Sequence, residues 1–142
     1  MGQQIKLTAS DKFQLGGYRA DPSLTPKGAV VVIQEIFGVN HHIRAVCDRL
    51  AGEGYVAVAP AIFDRIERNF QSGYSPDEVA LARKFIANPD WAAMLRDTEA
   101  AIDAVRNVGP VAAQLKIVRS RQLDIMSHGS SVCFWSCTKL LR

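Results

Sequence analysis

The stretch Gly28-Ala-Val-Val-Val-Ile-Gln-Glu-Ile-Phe-Gly-Val-Asn40 constrains this chain more than any other. Residues 29–33 are uninterruptedly apolar and include three adjacent valines, a run too short for a packed helix and suited to a strand buried on both faces. Glu35 falls just past the end of that strand, where open α/β sheets place their ligand crevice. A carboxylate there either takes part in chemistry or ends the strand and faces water. Position alone leaves both readings open.

The flanking chain supplies what such a strand needs. Ile5 to Thr8 and Phe13 to Leu15 alternate in polarity around the turn-like cluster Ala9-Ser-Asp-Lys12, which predicts a hairpin whose second arm runs on to Tyr18. Gly16-Gly17 is a candidate bulge in that arm. Two prolines and a glycine make Asp21 to Gly28 a loop. After Asn40, a candidate N-cap, the apolar positions Ile43, Val46, Cys47 and Leu50 recur at helical spacing, and Gly52 and Gly54 close the segment. Tyr55 to Ala59, stopped by Pro60, reads as a second short buried strand. Strand, helix and strand in this length form a βαβ unit with a right-handed crossover and parallel strands.

Farther on, Asp64, Arg65, Glu67 and Arg68 mark a solvated excursion between Ala61 and Tyr74. Ser75-Pro-Asp-Glu78 has the spacing of a capping box with proline at the first helical position, so a helix is expected from there to about Ala87. Asn88-Pro-Asp90 breaks it. Trp91, Leu95, Ala101, Ile102 and Val105 give the stripe of a longer helix ending near Gly109-Pro110. Both helices are expected to cover the sheet. Val111 to Val118 is a candidate third parallel strand, and Ser130 to Leu141 a candidate terminal helix. The fold class is therefore α/β: an N-terminal β-hairpin followed by a largely parallel sheet flanked by helices, in one domain over 1–142.

Composition narrows the function classes. With 142 residues, 48% of them hydrophobic, the chain has material for one real core. Its formal charge is +3, but five cations against Asp124 alone give residues 116–142 a net +4 and leave the remainder at −1. A small basic tail without interleaved aromatics argues against nucleic acid as a partner. No apolar run is long enough to span a membrane, and the N-terminus lacks a signal peptide's apolar core, so a cytoplasmic location is expected. Cys47, Cys133 and Cys137 make no disulfide framework. Cys133 and Cys137, at i, i+4 spacing, are only two ligands where a closed zinc site wants four, and His41-His42 point apart, so no metal site is expected. Cys47 belongs to the apolar face of its helix.

Gln34-Glu-Ile-Phe-Gly-Val-Asn40, the helix through Ile43-Arg-Ala-Val-Cys-Asp-Arg-Leu50, Gly54-Tyr-Val-Ala-Val-Ala-Pro60 and Arg96-Asp-Thr-Glu-Ala-Ala-Ile102 together resemble the dienelactone hydrolase family of the α/β-hydrolase fold. The similarity covers roughly residues 1–111. It implies the N-terminal half of that fold, and hydrolysis of a small ester or lactone without metal or organic cofactor, the type reaction converting a dienelactone to maleylacetate. It also implies that Glu35 contacts the nucleophile and that the backbone amide of Ile36 helps form an oxyanion hole. Rigid N–H groups aimed at the oxygen of an attacked carbonyl are worth about 3–4 kcal/mol per donor. A carboxylate shielded from water is suited to accept the nucleophile's proton.

The resemblance falters after Val111. The family's nucleophile is a cysteine in G-x-C-x-G-G on a strained turn between strand and helix, whereas this chain reads Leu123-Asp-Ile-Met-Ser-His-Gly-Ser-Ser-Val132. Alignment on Gly129-Ser-Ser-Val132 places Ser127 at the cysteine's position, with His128 as donor of the second oxyanion amide, and sets β-branched Ile125 at the first glycine's place. A second register would use Ser131 instead. No residue matches the acid and histidine that complete a hydrolase triad downstream of the nucleophile. Residues 112–128 thus form an irregular segment of the kind a shifted and later restored reading frame would leave, and the chain reads as a truncated copy whose activity is impaired. Three functional readings follow: a hydrolase; a catalytically dead domain that binds a partner or self-associates through an exposed sheet edge; and a nucleotide-binding module. The third lacks a glycine-rich phosphate loop after its first parallel strand.

Overall fold

The computed structural model describes residues 2–108 and 116–119. Five strands form one sheet in the order β1-β2-β4-β3-β5: β1 is Gln3–Thr8, β2 Gln14–Ala20, β3 Gly28–Ile33, β4 Tyr55–Pro60 and β5 Lys116–Arg119. The first two make the expected hairpin. β2 pairs antiparallel with β4, while β3 runs parallel to both β4 and β5. The strands after the hairpin are parallel to one another, as the sequence implies, and the antiparallel hairpin joined to β4 makes the whole sheet mixed. β5 supplies the end of the expected third parallel strand; residues 111–115 and the candidate helix from Ser130 to Leu141 lie outside the described residues.

Because strand side chains alternate, the valine run serves two cores at once. Val30 and Val32 face helix α1 (His41–Gly52) together with Ile43, Val46, Cys47 and Leu50, while Ala29 and Val31 face helix α3 (Trp91–Val105) with Ala101 and Val105. Fully burying a valine is worth about 1.5–3 kcal/mol, so the central strand is the main apolar anchor of both layers. Asn40 caps α1 as expected, its side-chain oxygen accepting the N–H groups of His42 at 3.1 Å and Ile43 at 3.2 Å. Burial, helped by the charge of Asp48, pushes the Cys47 thiol up to about 12, and its place in the core is confirmed.

Several local expectations are corrected. Gly16 and Gly17 do not bulge: they pair in continuous register with Lys6 and Ile5. Their missing side chains instead make room, since a Cβ on Gly16 would lie 3.2 Å from Asp64 Oδ2 and one on Gly17 3.1 Å from the Ala59 carbonyl oxygen. The charged segment after Ala61 is only in part a solvated excursion: Glu67 and Arg68 are exposed, but Asp64 and Arg65 are not. Residues Ile62–Arg65 form a one-turn 3-10 helix, Asp64 is 6% exposed, and Arg65 is ion-paired with the fully buried Asp97 at 2.7 Å.

Helix α2 (Pro76–Lys84) has the predicted capping box and N1 proline, but ends before Ala87. Its last turn tightens into i to i−3 hydrogen bonds from Ile86 to Arg83 and from Ala87 to Lys84, and Pro89 disfavours helical backbone just before it. It does not cover the sheet; its one buried residue, Ala82, packs with Phe63, Phe70 and Phe85 in a separate cluster. In α3, Trp91 and Leu95 are 59% and 44% exposed, and the buried face runs through Ala93, Asp97, Ala101 and Val105. An offset of two residues turns a side chain about 200° around a helix axis, which puts Trp91 and Leu95 opposite Ala93. Small residues on the inner face let α3 approach the sheet closely.

Candidate active site at the end of β3

β3 ends at Ile33, and the chain turns at once. Gly38 donates its N–H to the Glu35 carbonyl at 3.2 Å, closing the four-residue turn Glu35-Ile36-Phe37-Gly38. Gly38 has φ +75°, and a Cβ there would run into the Phe70 carbonyl oxygen, so glycine is required both for its backbone and for the close approach of a second chain segment. Gly38→Val should therefore lower unfolding stability by at least about 1–3 kcal/mol from backbone strain alone. A urea midpoint equal to that of the unaltered chain would contradict this.

The second segment is residues 70–74, which straps the turn from outside. Gln71 bridges Gly38, Ser72 donates to the Phe37 carbonyl at 3.0 Å, and Arg44 on α1 donates to the Gln71 side chain at 2.8 Å. Asn40 reaches the same strap, its amide nitrogen lying 3.4 Å from the Ser72 carbonyl and 3.3 Å from the Tyr74 hydroxyl. The Phe37 and Tyr74 rings meet edge to face with centroids 4.6 Å apart. Beneath the turn, Phe70 stacks on Phe85 at 3.9 Å, and Ile36, Phe37 and Met94 lean on that aromatic cluster.

On the inner side, Gln34 Oε1 accepts the N–H of Ile62 at 3.0 Å, tying the strand end to the 3-10 helix. Glu35 itself is half-buried, and among the described residues its carboxylate has no hydrogen-bond partner. The Ile36 amide likewise donates to no acceptor among them. A half-buried carboxylate and a backbone N–H, one residue apart on a braced turn and unpartnered among the described residues, can respectively accept a proton and stabilise an oxyanion.

Of the site residues read from the sequence, Glu35 and Ile36 are therefore adjacent at the sheet's carboxyl edge. Ser127, His128 and the alternative Ser131 lie outside the described residues, as do Cys133 and Cys137. His41 and His42 are exposed at the start of α1. Among the described residues, no group of three or more His, Cys, Asp or Glu side chains is placed to hold a metal ion. No described helix is long and apolar enough to cross a membrane.

Sequence reasoning missed the braces. Phe63, Phe70 and Phe85 are too far apart in sequence to suggest a cluster. Arg65 holds Asp97 through two hydrogen bonds of 2.7 and 2.8 Å, and also pairs with Asp11 at 2.9 Å while lying over the Phe13 ring at 4.2 Å. The Arg65 hydrogen bond, with help from the Phe13 N–H, holds the Asp11 carboxyl down at about 2, and the two aspartates raise Arg65 still higher. One signal could have pointed to the turn's brace: a glycine three residues after Glu35 is placed to close a tight turn.

Comparison with known proteins bears on the family and the fold. A sequence model of the dienelactone hydrolase family matches residues 15–118. A Synechocystis protein named "Putative carboxymethylenebutenolidase" is 46% identical over 94 residues, which are 66% of this chain and 38% of that protein. The crystal structure of a "Putative Dienelactone Hydrolase" from Klebsiella pneumoniae superposes with a TM-score of 0.65 at 29% identity, over 84% of this chain and 50% of that one. An esterase of Pyrococcus furiosus, 15% identical, shares the fold with a TM-score of 0.52 over 84% of this chain and 41% of its own. The chain thus spans half or less of the length of these relatives.

Proposed function

The chain belongs to the dienelactone hydrolase family, and on that premise we propose that its β3 turn is the acyl-binding side of an esterase or lactonase site acting on a small ester or lactone. The reaction is nucleophilic acyl transfer. Ser127 Oγ attacks the carbonyl carbon as its proton passes to the Glu35 carboxylate, and the N–H groups of Ile36 and His128 receive the negative charge that develops on oxygen. Collapse of the tetrahedral intermediate expels the alcohol, and water then releases the acid from the serine. In a lactone, acid and alcohol are one molecule, so the product is a ring-opened hydroxy acid or its keto form, as in the conversion of a dienelactone to maleylacetate.

The observation that carries the reading is that the half-buried Glu35 carboxylate and the Ile36 amide, neither hydrogen-bonded among the described residues, are neighbours at the end of the inner strand. The nucleophile rests on motif alignment, and a fluorophosphonate probe tests it. Peptide mapping after labelling of the native chain should find the adduct on Ser127, with Ser127→Ala unlabelled. Labelling of Ser131 instead would move the nucleophile to the other register.

A second reading is that the domain is catalytically silent and pairs with another copy. Among the described residues β5 lies at the end of the sheet, hydrogen-bonded to β3 on one side only, and an unpaired strand edge is a template for another chain. Size-exclusion chromatography should then show a dimer or larger species at micromolar concentration; a monomer throughout would dismiss this second reading.

A further inference from the structure

Asp64 stands outside the acyl site, in the 3-10 helix, and is 6% exposed. Both its carboxylate oxygens are used. Oδ2 accepts the N–H of Gly16 in β2 at 2.7 Å, and Oδ1 accepts the N–H of Asn69 at 2.8 Å. Asn69 has φ +57° and is where the chain reverses. The residue after it, Phe70, brings its carbonyl against Gly38; Gln71 bridges Gly38, and Ser72 donates to the Phe37 carbonyl. Just before Asp64, Ile62 is held by the Gln34 side chain at 3.0 Å. One buried carboxylate therefore fixes to the sheet the loop that touches the Glu35 turn at both of its ends.

We propose that Asp64 is a positioning residue: by tying the reversal at Asn69 to β2 it sets where the 70–72 strap returns, and so where the Glu35 carboxylate and the Ile36 amide stand. The assignment rests on the reading of those two groups as the acyl site. Its chemistry is specific to a carboxylate. Each oxygen accepts from a backbone N–H, so an asparagine must turn an NH2 group against one of the two donors and lose that bond.

Hydrogen–deuterium exchange on the full chain tests it, comparing the unaltered protein with Asp64→Asn and Asp64→Ala. In both variants the amides of 36–40 and 70–74 should exchange roughly tenfold faster or more, while those of α1 and of β3 and β4 stay within about twofold, because a lost charge-assisted bond opens this loop and not the sheet. Two results would overturn the proposal: loss of protection confined to Gly16 and Asn69, or a rise by the same factor at every amide, which marks a purely global role. Ester turnover is read separately. An unaltered chain that hydrolyses no ester would count against the acyl-site reading alone and leave the exchange result to decide what Asp64 holds in place.

Discussion

Replacing Arg65 with methionine is expected to remove about 3–5 kcal/mol of folding stability, because it strands a charge in the interior. Asp97 is 0% exposed and both its oxygens are occupied by Arg65, at 2.7 and 2.8 Å. Methionine can fill the volume of the arginine stem, but it leaves that carboxylate without its cation. It also gives up the contact with the Phe13 ring and the pair with Asp11. The reverse change, Asp97→Ala, should be milder. Arg65 is 21% exposed and would keep Asp11 as a partner, so its charge is not left bare. Replacing both members with apolar residues should cost less than Arg65→Met, since no unpaired ion then remains buried. Urea unfolding of the three variants gives the order. A loss below about 1 kcal/mol for Arg65→Met would show that the pair behaves as an exposed one.

This pair also marks what could be read from the chain and what could not. Elements whose signals are local were legible: Asn40 as a cap, the Ser75 and Glu78 box, the alternation in β1, and the valines of β3 each depend on neighbours within a few residues. Glu35 at the sheet's carboxyl edge followed from those elements, and the role proposed for it rests on the heptapeptide around it. Asp64 and Arg65 looked solvated because their partners, Gly16 and Asp97, are 48 and 32 residues away, and charge in a sequence carries no mark of burial. Trp91 and Leu95 misled for a different reason. Large apolar residues suggest an inner face, yet α3 buries alanines, an aspartate and a threonine because closeness to the sheet and the pairing with Arg65 decided which side turned inward. Gly16 and Gly17 were legible as special, but the sequence did not say whether they bend the strand or make room for neighbours.

The site follows the same division. Glu35 and Ile36 lie side by side in a short motif, while the parts that brace their turn, the strap of residues 70–74, Phe63, Phe70 and Asp64, come from a stretch without a continuous helical or strand period. That division explains why a family likeness can find Glu35 directly and say nothing about how its turn is braced.

The measurement that bears most directly on this account is kcat/KM for a small activated ester, p-nitrophenyl acetate, beside a dienelactone, on the purified chain and on Glu35→Gln. Glutamine keeps the shape of the side chain but cannot accept the nucleophile's proton as a carboxylate does, and loss of a positioned base typically lowers rate by about 100-fold to 10,000-fold. A fall of at least about 100-fold, with the unfolding midpoint unchanged, is the predicted result. Equal turnover by the two proteins would contradict it, because the carboxylate at the end of β3 would then have no part in the acyl chemistry.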